Sequence, residues 1–284
     1  MSRSATTPLP DEMEQVDRAN ASGKQPVVFA HGLWRLDSSW AAWAQFFEEA
    51  GYVAVTPTWP SDPESIARVR ENPEAFACRS IAGVAAYQQG VVERLDRRPA
   101  LIGHSFGGLL VQILAGRGLA AVSIAIGPAP FQGVLPLPPA ARKAGAPILA
   151  NAVTRGRAVT LTFERFRYGF ANALSKDEAR QVYDDHRLAR STVPITQTTS
   201  VNSNTLRSAD AHEKRRVRGP MLIISGGLDH QVPPAVVHAA YGRQGMNPGL
   251  TQLLEIKDRG HSLTIDSRWR EVAQISLDFI RRFV

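Results

Sequence analysis

The sequence predicts an α/β fold: a mostly parallel central sheet flanked by helices, with an inserted helical segment. Three observations carry that expectation. Short apolar runs, most containing Val or Ile and bounded by Gly, Pro or Asp, recur along the chain as buried parallel strands do. Amphipathic, helix-like stretches separate many of them. Between Phe131 and Val217 that alternation stops and the pattern turns helical alone.

Residues 1–24 are polar and mixed in charge, and read as a flexible N-terminal segment. The strand-like runs then follow as Pro26 to Phe29, Tyr52 to Thr56, Ala100 to Gly103, Ala120 to Ile126, Pro220 to Ser225 and Thr251 to Ile256. Ile81 to Leu95 sets Ile81, Val84, Ala85, Gln88, Val92 and Leu95 on one helical stripe, and Trp269 to Phe283 repeats that pattern. The central stretch opens on the Pro-rich Leu135–Pro139. Its helices are expected over about Thr162 to Leu174 and Lys176 to Tyr183. Ser175 precedes the second as N-cap, with Glu178 at capping-box spacing. The organisation expected is a core of residues 25–130 and 218–284 and a helical cap inserted at 131–217.

Composition narrows the function classes. With 44% hydrophobic and 21% charged residues, the 284-residue chain can bury a sizeable core. The single cysteine, Cys78, excludes an internal disulfide, and no Cys/His spacing suggests a structural zinc. The N-terminus lacks the continuous apolar run of a signal peptide or membrane span, so a cytoplasmic protein without a membrane partner is expected. A net charge of +7 raises the question of nucleic acid, but the charge is scattered. Its densest run, Glu213 to Arg218, reads as a solvated connector before a strand. No nucleic-acid partner is expected.

The motif with chemical content is Gly103-His104-Ser105-Phe106-Gly107-Gly108, set between the run ending at Ile102 and the helix-like Leu109 to Ala115. It matches the G-x-S-x-G nucleophile elbow, where a serine sits on a sharp strand-to-helix turn and a β-carbon at the flanking glycines would collide with strand or helix. The helix N-terminus beneath the serine favours developing negative charge. A serine hydroxyl needs a base to take its proton, and the base needs a carboxylate to fix its tautomer. Asp229 follows Pro220 to Ser225 and His261 follows Thr251 to Ile256, each in a loop at a strand's C-terminal end. Other histidines are assigned humbler roles: His104 packs on the opposite face of its strand, His31 braces its turn, and His230 merely adjoins the acid. Asp258 and Asp266, rival acids close to His261 in sequence, are expected to fix its loop or cap the last helix.

These residues together resemble the α/β-hydrolase superfamily, over most of the chain from about Pro26 onward. The resemblance implies Ser105 as nucleophile, Asp229 in Gly-Leu-Asp-His-Gln-Val-Pro as acid and His261 in Gly-His-Ser as base, in the family's chain order. Phe29-Ala30-His31-Gly32-Leu33-Trp34 resembles the family's His-Gly turn, which implies an oxyanion hole from the backbone N–H groups of Leu33 and Phe106. Two departures stand out: no strand pair is apparent before Pro26, and the loop after Thr56 is Pro-rich where relatives carry glycine.

The function expected is a serine esterase or lipase-like hydrolase without cofactor or metal, cleaving an ester-like bond of a small, hydrophobic acyl substrate as a monomer or homodimer. Lactonase, amidase and cofactor-free haloperoxidase-like perhydrolase chemistry use the same triad, and a non-catalytic ligand-binding receptor could retain it. Trp34 is a candidate for the substrate pocket. Trp40, Trp43 and Trp59 read as core residues, and Phe163, Phe166, Tyr168 and Phe170 as a cap-to-core interface.

Overall fold

A computed structural model describes residues 8–32, 37–59, 81–130, 138–149, 158–159, 161–186, 190–191 and 218–284. In chain order the elements are α1 (Pro10–Ser22), β1 (Pro26–Ala30), a 3-10 turn (Asp37–Trp40), α2 (Ala41–Glu49), β2 (Val53–Val55), α3 (Ile81–Val92), β3 (Ala100–His104), α4 (Phe106–Gly116) and β4 (Val122–Ile126). They continue as α5 (Pro139–Leu149), β5 (Ala158–Val159), α6 (Phe163–Gly169), α7 (Lys176–His186), β6 (Arg190–Ser191), β7 (Met221–Gly226), α8 (Pro234–Gln244), β8 (Thr251–Ile256) and α9 (Trp269–Ile280).

Six strands form one parallel sheet in the order β2-β1-β3-β4-β7-β8. Each of the six apolar runs becomes a strand, because a parallel sheet covered on both faces buries every residue of its central strands. The strand period then divides those residues between two layers. Val28, Ala30, Leu101, Ala125 and Ile223 pack with α1, α3, α4 and α8, while Val27, Phe29, Ile102, Ile124 and Ile224 pack with α2 and α9. Trp40, Trp43 and Trp59 are buried, as read from the sequence.

Two expectations require correction. Within the segment expected to be flexible, residues 10–22 form α1, which starts with Pro10 and ends at Gly23 in the left-handed conformation. Its apolar face is small, with Val16 and Ala19 buried and Met13 packed partly buried beside them, which is why its composition reads as disordered. Polar side chains at three-residue spacing do the rest along the edge strand β2 and its extension. Arg18 donates to Ala54 O at 2.8 Å, Gln15 accepts from Thr56 N at 2.8 Å, and Glu12 accepts from Thr58 N at 2.8 Å. A helix thus covers a sheet edge whose backbone groups would otherwise be open to other chains. Buried Glu12 also accepts from Leu9 N, Thr58 Oγ1 and the Tyr87 hydroxyl. Burial and that carboxylate hold the Tyr87 hydroxyl above its usual pKa, so it stays a donor.

The second correction concerns the basic run before β7. Residues 213–217 lie outside the described residues, but Arg218 is buried, not solvated. Its guanidinium donates to Gln244 Oε1 and O, Thr251 Oγ1, Leu250 O and Gly219 O, tying the start of β7 to the end of α8. Burial lowers its pKa to about 10.

Among the described residues between β4 and β7 lie three helices and the antiparallel pair β5–β6. Ser175 Oγ caps α7 by accepting from Glu178 N at 3.2 Å. The reciprocal half of the capping box is replaced: Glu178 Oε1 instead accepts from Ser267 N at 2.8 Å, joining α7 to the loop before α9. Cys78 and Leu135 to Leu137 fall outside the described residues.

Candidate active site

The loops after β3, β7 and β8 share one end of the sheet. Ser105 stands between β3 and α4 with φ 57° and ψ −118°, the only non-glycine residue at positive φ among those described. Such a conformation costs of order 1–3 kcal/mol, and surrounding structure has to impose it. Here it does. Ser105 N donates to Ile126 O at 2.9 Å, and Ser105 O accepts from Leu109 N and Ala129 N. The glycines are required by contact: a β-carbon on Gly103 would lie 2.3 Å from Gly107 O, and one on Gly107 would lie 1.9 Å from Ala30 O. Phe106, first residue of α4, begins a helix whose leading N–H groups have no intrahelical acceptor.

Asp229 and His261 are both buried, and their side chains meet with His261 Nδ1 to Asp229 Oδ2 at 2.6 Å. The other carboxylate oxygen, Oδ1, accepts from Gln231 N and Val232 N, each at 2.8 Å. The carboxylate is thereby oriented by its own turn, leaving Oδ2 for the imidazole. Gly127, just past β4, sits at φ 45°, and a β-carbon there would come within 3.5 Å of Asp229 Oδ2 and of the His261 ring. Since Ser105 N bonds the residue before it, the serine turn and the Asp229–His261 pair flank the same strand end.

The rival acids are engaged elsewhere. Asp266 is buried in an ion pair with Arg259 at 2.5 Å and accepts from Ser262 Oγ and Arg268 N, so it fixes the loop carrying His261. Asp258 is exposed and pairs with Arg268, whose hydrogen bond holds its carboxyl below the usual range. His230 Nδ1 lies 2.9 Å from Tyr168 O and its ring packs on Tyr168 at 4.7 Å. His31 Nδ1 bonds Gly32 O at 3.0 Å within its turn, and its ring stacks on Trp59. Leu33 and Trp34, named for the oxyanion hole and the pocket, lie outside the described residues.

His104 is buried in a packing role, as expected, and the residue it packs against is His261: its Nε2 donates to His261 O at 2.8 Å and its ring lies 4.6 Å from the His261 ring. The alternation of β3 puts it on the face of Ala100 and Ile102, where Leu263 of the His261 loop also packs. Phe170, read from the sequence as part of a cap-to-core interface, meets the His261 ring edge to face at 5.0 Å, a partner that reading did not specify. Nothing local to Phe170 signals a partner 91 positions away. Among the described residues no group of His, Cys, Asp and Glu could hold a metal ion, and no helix is long and apolar enough to cross a membrane.

This arrangement matches known proteins at the level of fold. The structure resembles a monoacylglycerol lipase from Paleococcus ferrophilus (TM-score 0.63, 19% identity, 91% of this chain and 95% of that one covered). It is also similar to BpoC of Mycobacterium tuberculosis H37Rv, described as a putative non-heme bromoperoxidase (TM-score 0.66, 18% identity, 92% and 93% covered). A third similar structure is a pyrethroid hydrolase from Sphingobium faniae (TM-score 0.59, 18% identity, 90% and 96% covered). No curated protein matches the sequence. The family model described as "Alpha/beta hydrolase family" matches residues 27–275, and the chain belongs to that family, with its mostly parallel sheet in the α/β-hydrolase fold.

Proposed function

We propose that the protein is a serine hydrolase that cleaves a carboxylic ester or related acyl bond of a small hydrophobic substrate through an acyl-enzyme on Ser105. The observation that carries this reading is the buried 2.6 Å contact of His261 Nδ1 with Asp229 Oδ2, beside a serine held at φ 57°. A carboxylate on Nδ1 requires that nitrogen to be the protonated one, so Nε2 of the neutral ring is left as the base.

In the proposed reaction Ser105 Oγ attacks the acyl carbon as His261 Nε2 takes its proton, and Asp229 stabilises the imidazolium. The backbone N–H groups of Phe106 and Leu33 are assigned as the donors to the oxyanion, and donors that need no reorganisation as charge develops contribute several kcal/mol. Collapse breaks the ester C–O bond, the imidazolium protonates the leaving alcohol, and a water deprotonated by His261 releases the acid from Ser105. The lipase and pyrethroid hydrolase among similar folds are consistent with ester chemistry.

Labelling by a fluorophosphonate probe tests this. The parent should label, and Ser105→Ala and His261→Ala should not. A folded parent that fails to label would sink the reading in favour of a binding protein.

A further inference from the structure

The chain between β4 and β7 does more than lie over the site: one short stretch of it grips both loops that carry the Asp229–His261 pair. On the acid loop, His230 Nδ1 donates to Tyr168 O at 2.9 Å and Asn172 Nδ2 donates to Leu228 O at 2.7 Å, so the residues on either side of Asp229 are both held. Gly169 is pressed so closely against Gln231 that a β-carbon would lie 2.7 Å from Gln231 Oε1. On the base loop, a β-carbon at Gly260 would lie 2.8 Å from Asn172 Oδ1 and 3.3 Å from Ala173 Cβ. Phe170 meets His261 at 5.0 Å with the ring planes at 82°, and meets His104 at 5.9 Å. Phe170 is in turn stacked on Phe166 at 5.0 Å, and Phe166 lies 5.3 Å from Tyr183 of α7.

We propose that Phe170 and Asn172 are positioning residues for the reaction. Phe170 fixes the orientation of the His261 ring and Asn172 fixes the turn that carries Asp229, so residues 168–172 set the geometry of the pair from outside the two loops. The proposal rests on the Ser105 hydrolase reading. Physically, the Nδ1–Oδ2 bond fixes only one end of the imidazole. A ring can still swing about that contact unless something closes its face, and Phe170 and His104 are the side chains whose rings lie against it. The loops are joined to each other by two backbone bonds, Gly227 N to Ile256 O at 2.8 Å and Leu228 N to Arg259 O at 2.9 Å, and Asn172 adds a side-chain clamp on the Leu228 carbonyl.

The test measures kcat and KM of the full chain for p-nitrophenyl butyrate, well below each variant's Tm, in Phe170→Leu and Asn172→Ala. Phe170→Leu keeps the apolar fill while removing the ring, and Asn172→Ala removes a partly exposed amide, so one folded variant suffices. Displacing a reacting group by about 1 Å costs up to about a hundredfold, and kcat should fall by about tenfold to a hundredfold with KM held within about threefold. Each variant is repeated over the residue it acts through. Phe170→Leu should have no further effect in a His261→Ala background, nor Asn172→Ala in Asp229→Asn. Arg180→Ala, which strips the guanidinium lying 3.5 Å over the Phe163 ring at the outer end of the same aromatic column, should lower Tm and leave kcat unchanged. A raised KM with kcat intact would make Phe170 a substrate wall and overturn the proposal, as would losses that persist undiminished without His261. Turnover surviving Ser105→Ala would instead defeat the underlying reading and the proposal with it. Ser105-dependent turnover with unaltered Phe170→Leu and Asn172→Ala kinetics would defeat the positioning role alone.

Discussion

Replacing Asp229 by Asn probes the proposed base most directly, because the structure dictates which way the new amide must face. Asp229 Oδ1 accepts two backbone N–H groups at 2.8 Å, from Gln231 and Val232, and only an oxygen can stand there. Reversing the amide would leave both donors facing an NH2 group, at about 1–3 kcal/mol for each unsatisfied group. The Asn amide oxygen therefore stays on the backbone, and its NH2 points at His261 Nδ1, 2.6 Å from that site in the parent. Nδ1 must then accept, the ring proton moves to Nε2, and the nitrogen facing the serine no longer takes a proton. The loss expected is about 10⁴-fold in kcat, the size measured for this tautomer error in a serine protease, or about 5.5 kcal/mol of transition-state stabilisation. KM and Tm should change little, since the two backbone bonds and the side-chain volume survive. The assay is steady-state ester hydrolysis with a thermal melt on the same preparation. A fall in kcat of under tenfold would refute the assignment of Asp229 as the orienting acid.

Three further perturbations have outcomes that the packing sets. Gly107→Ala places a β-carbon 1.9 Å from Ala30 O and 2.6 Å from Ala30 C, an overlap with backbone that no rotamer relieves; the melt should drop by at least about 3 kcal/mol and probe labelling should be lost. Glu12→Ala strands donors on Thr58 and Tyr87 and leaves Leu9 N only its 3.2 Å bond to the Tyr87 hydroxyl oxygen, and should cost about 3–5 kcal/mol, or about 10 °C in Tm, with Glu12→Gln losing less. For Tyr87 the folded pKa is raised above the ordinary 10.0, so its contribution is whole below pH 10 and fades as pH rises toward the folded value. Tyr87→Phe should therefore flatten the alkaline limb of a stability-against-pH curve, and an unchanged limb would count against the Glu12–Tyr87 pairing.

What could be read from the sequence was what is encoded locally. The Gly-x-Ser-x-Gly turn carries its own necessity in its glycines, and the apolar strands report their burial by composition, apart from the edge strand β8, which is only partly buried. What escaped was encoded by contact. The polar face of α1 looks like a solvated segment until β2 lies beside it. Arg218 reads as part of a charged connector until Gln244 and Thr251 surround it. Glu178 sits at capping-box spacing, yet its carboxylate serves Ser267, 89 positions on. The partner that His104 and Phe170 share belongs to the same class, since the ring both pack against is supplied by His261.

The Asp229–His261 pair shows how the two kinds of information combine. Chain order and loop position nominate the residues, but a 2.6 Å contact depends on register. Strands β7 and β8 are neighbours and parallel, with Gly226 opposite Ile256, so their following loops leave the sheet side by side. Gly227 N on Ile256 O at 2.8 Å and Leu228 N on Arg259 O at 2.9 Å carry that pairing into the loops. One residue of slip would move a strand by about 3.3 Å, more than the whole donor–acceptor distance, and would turn Leu253 and Leu254 to the opposite faces. The burial that holds β7 in place, with all six of its residues in the interior, therefore also sets the distance between the acid and the base.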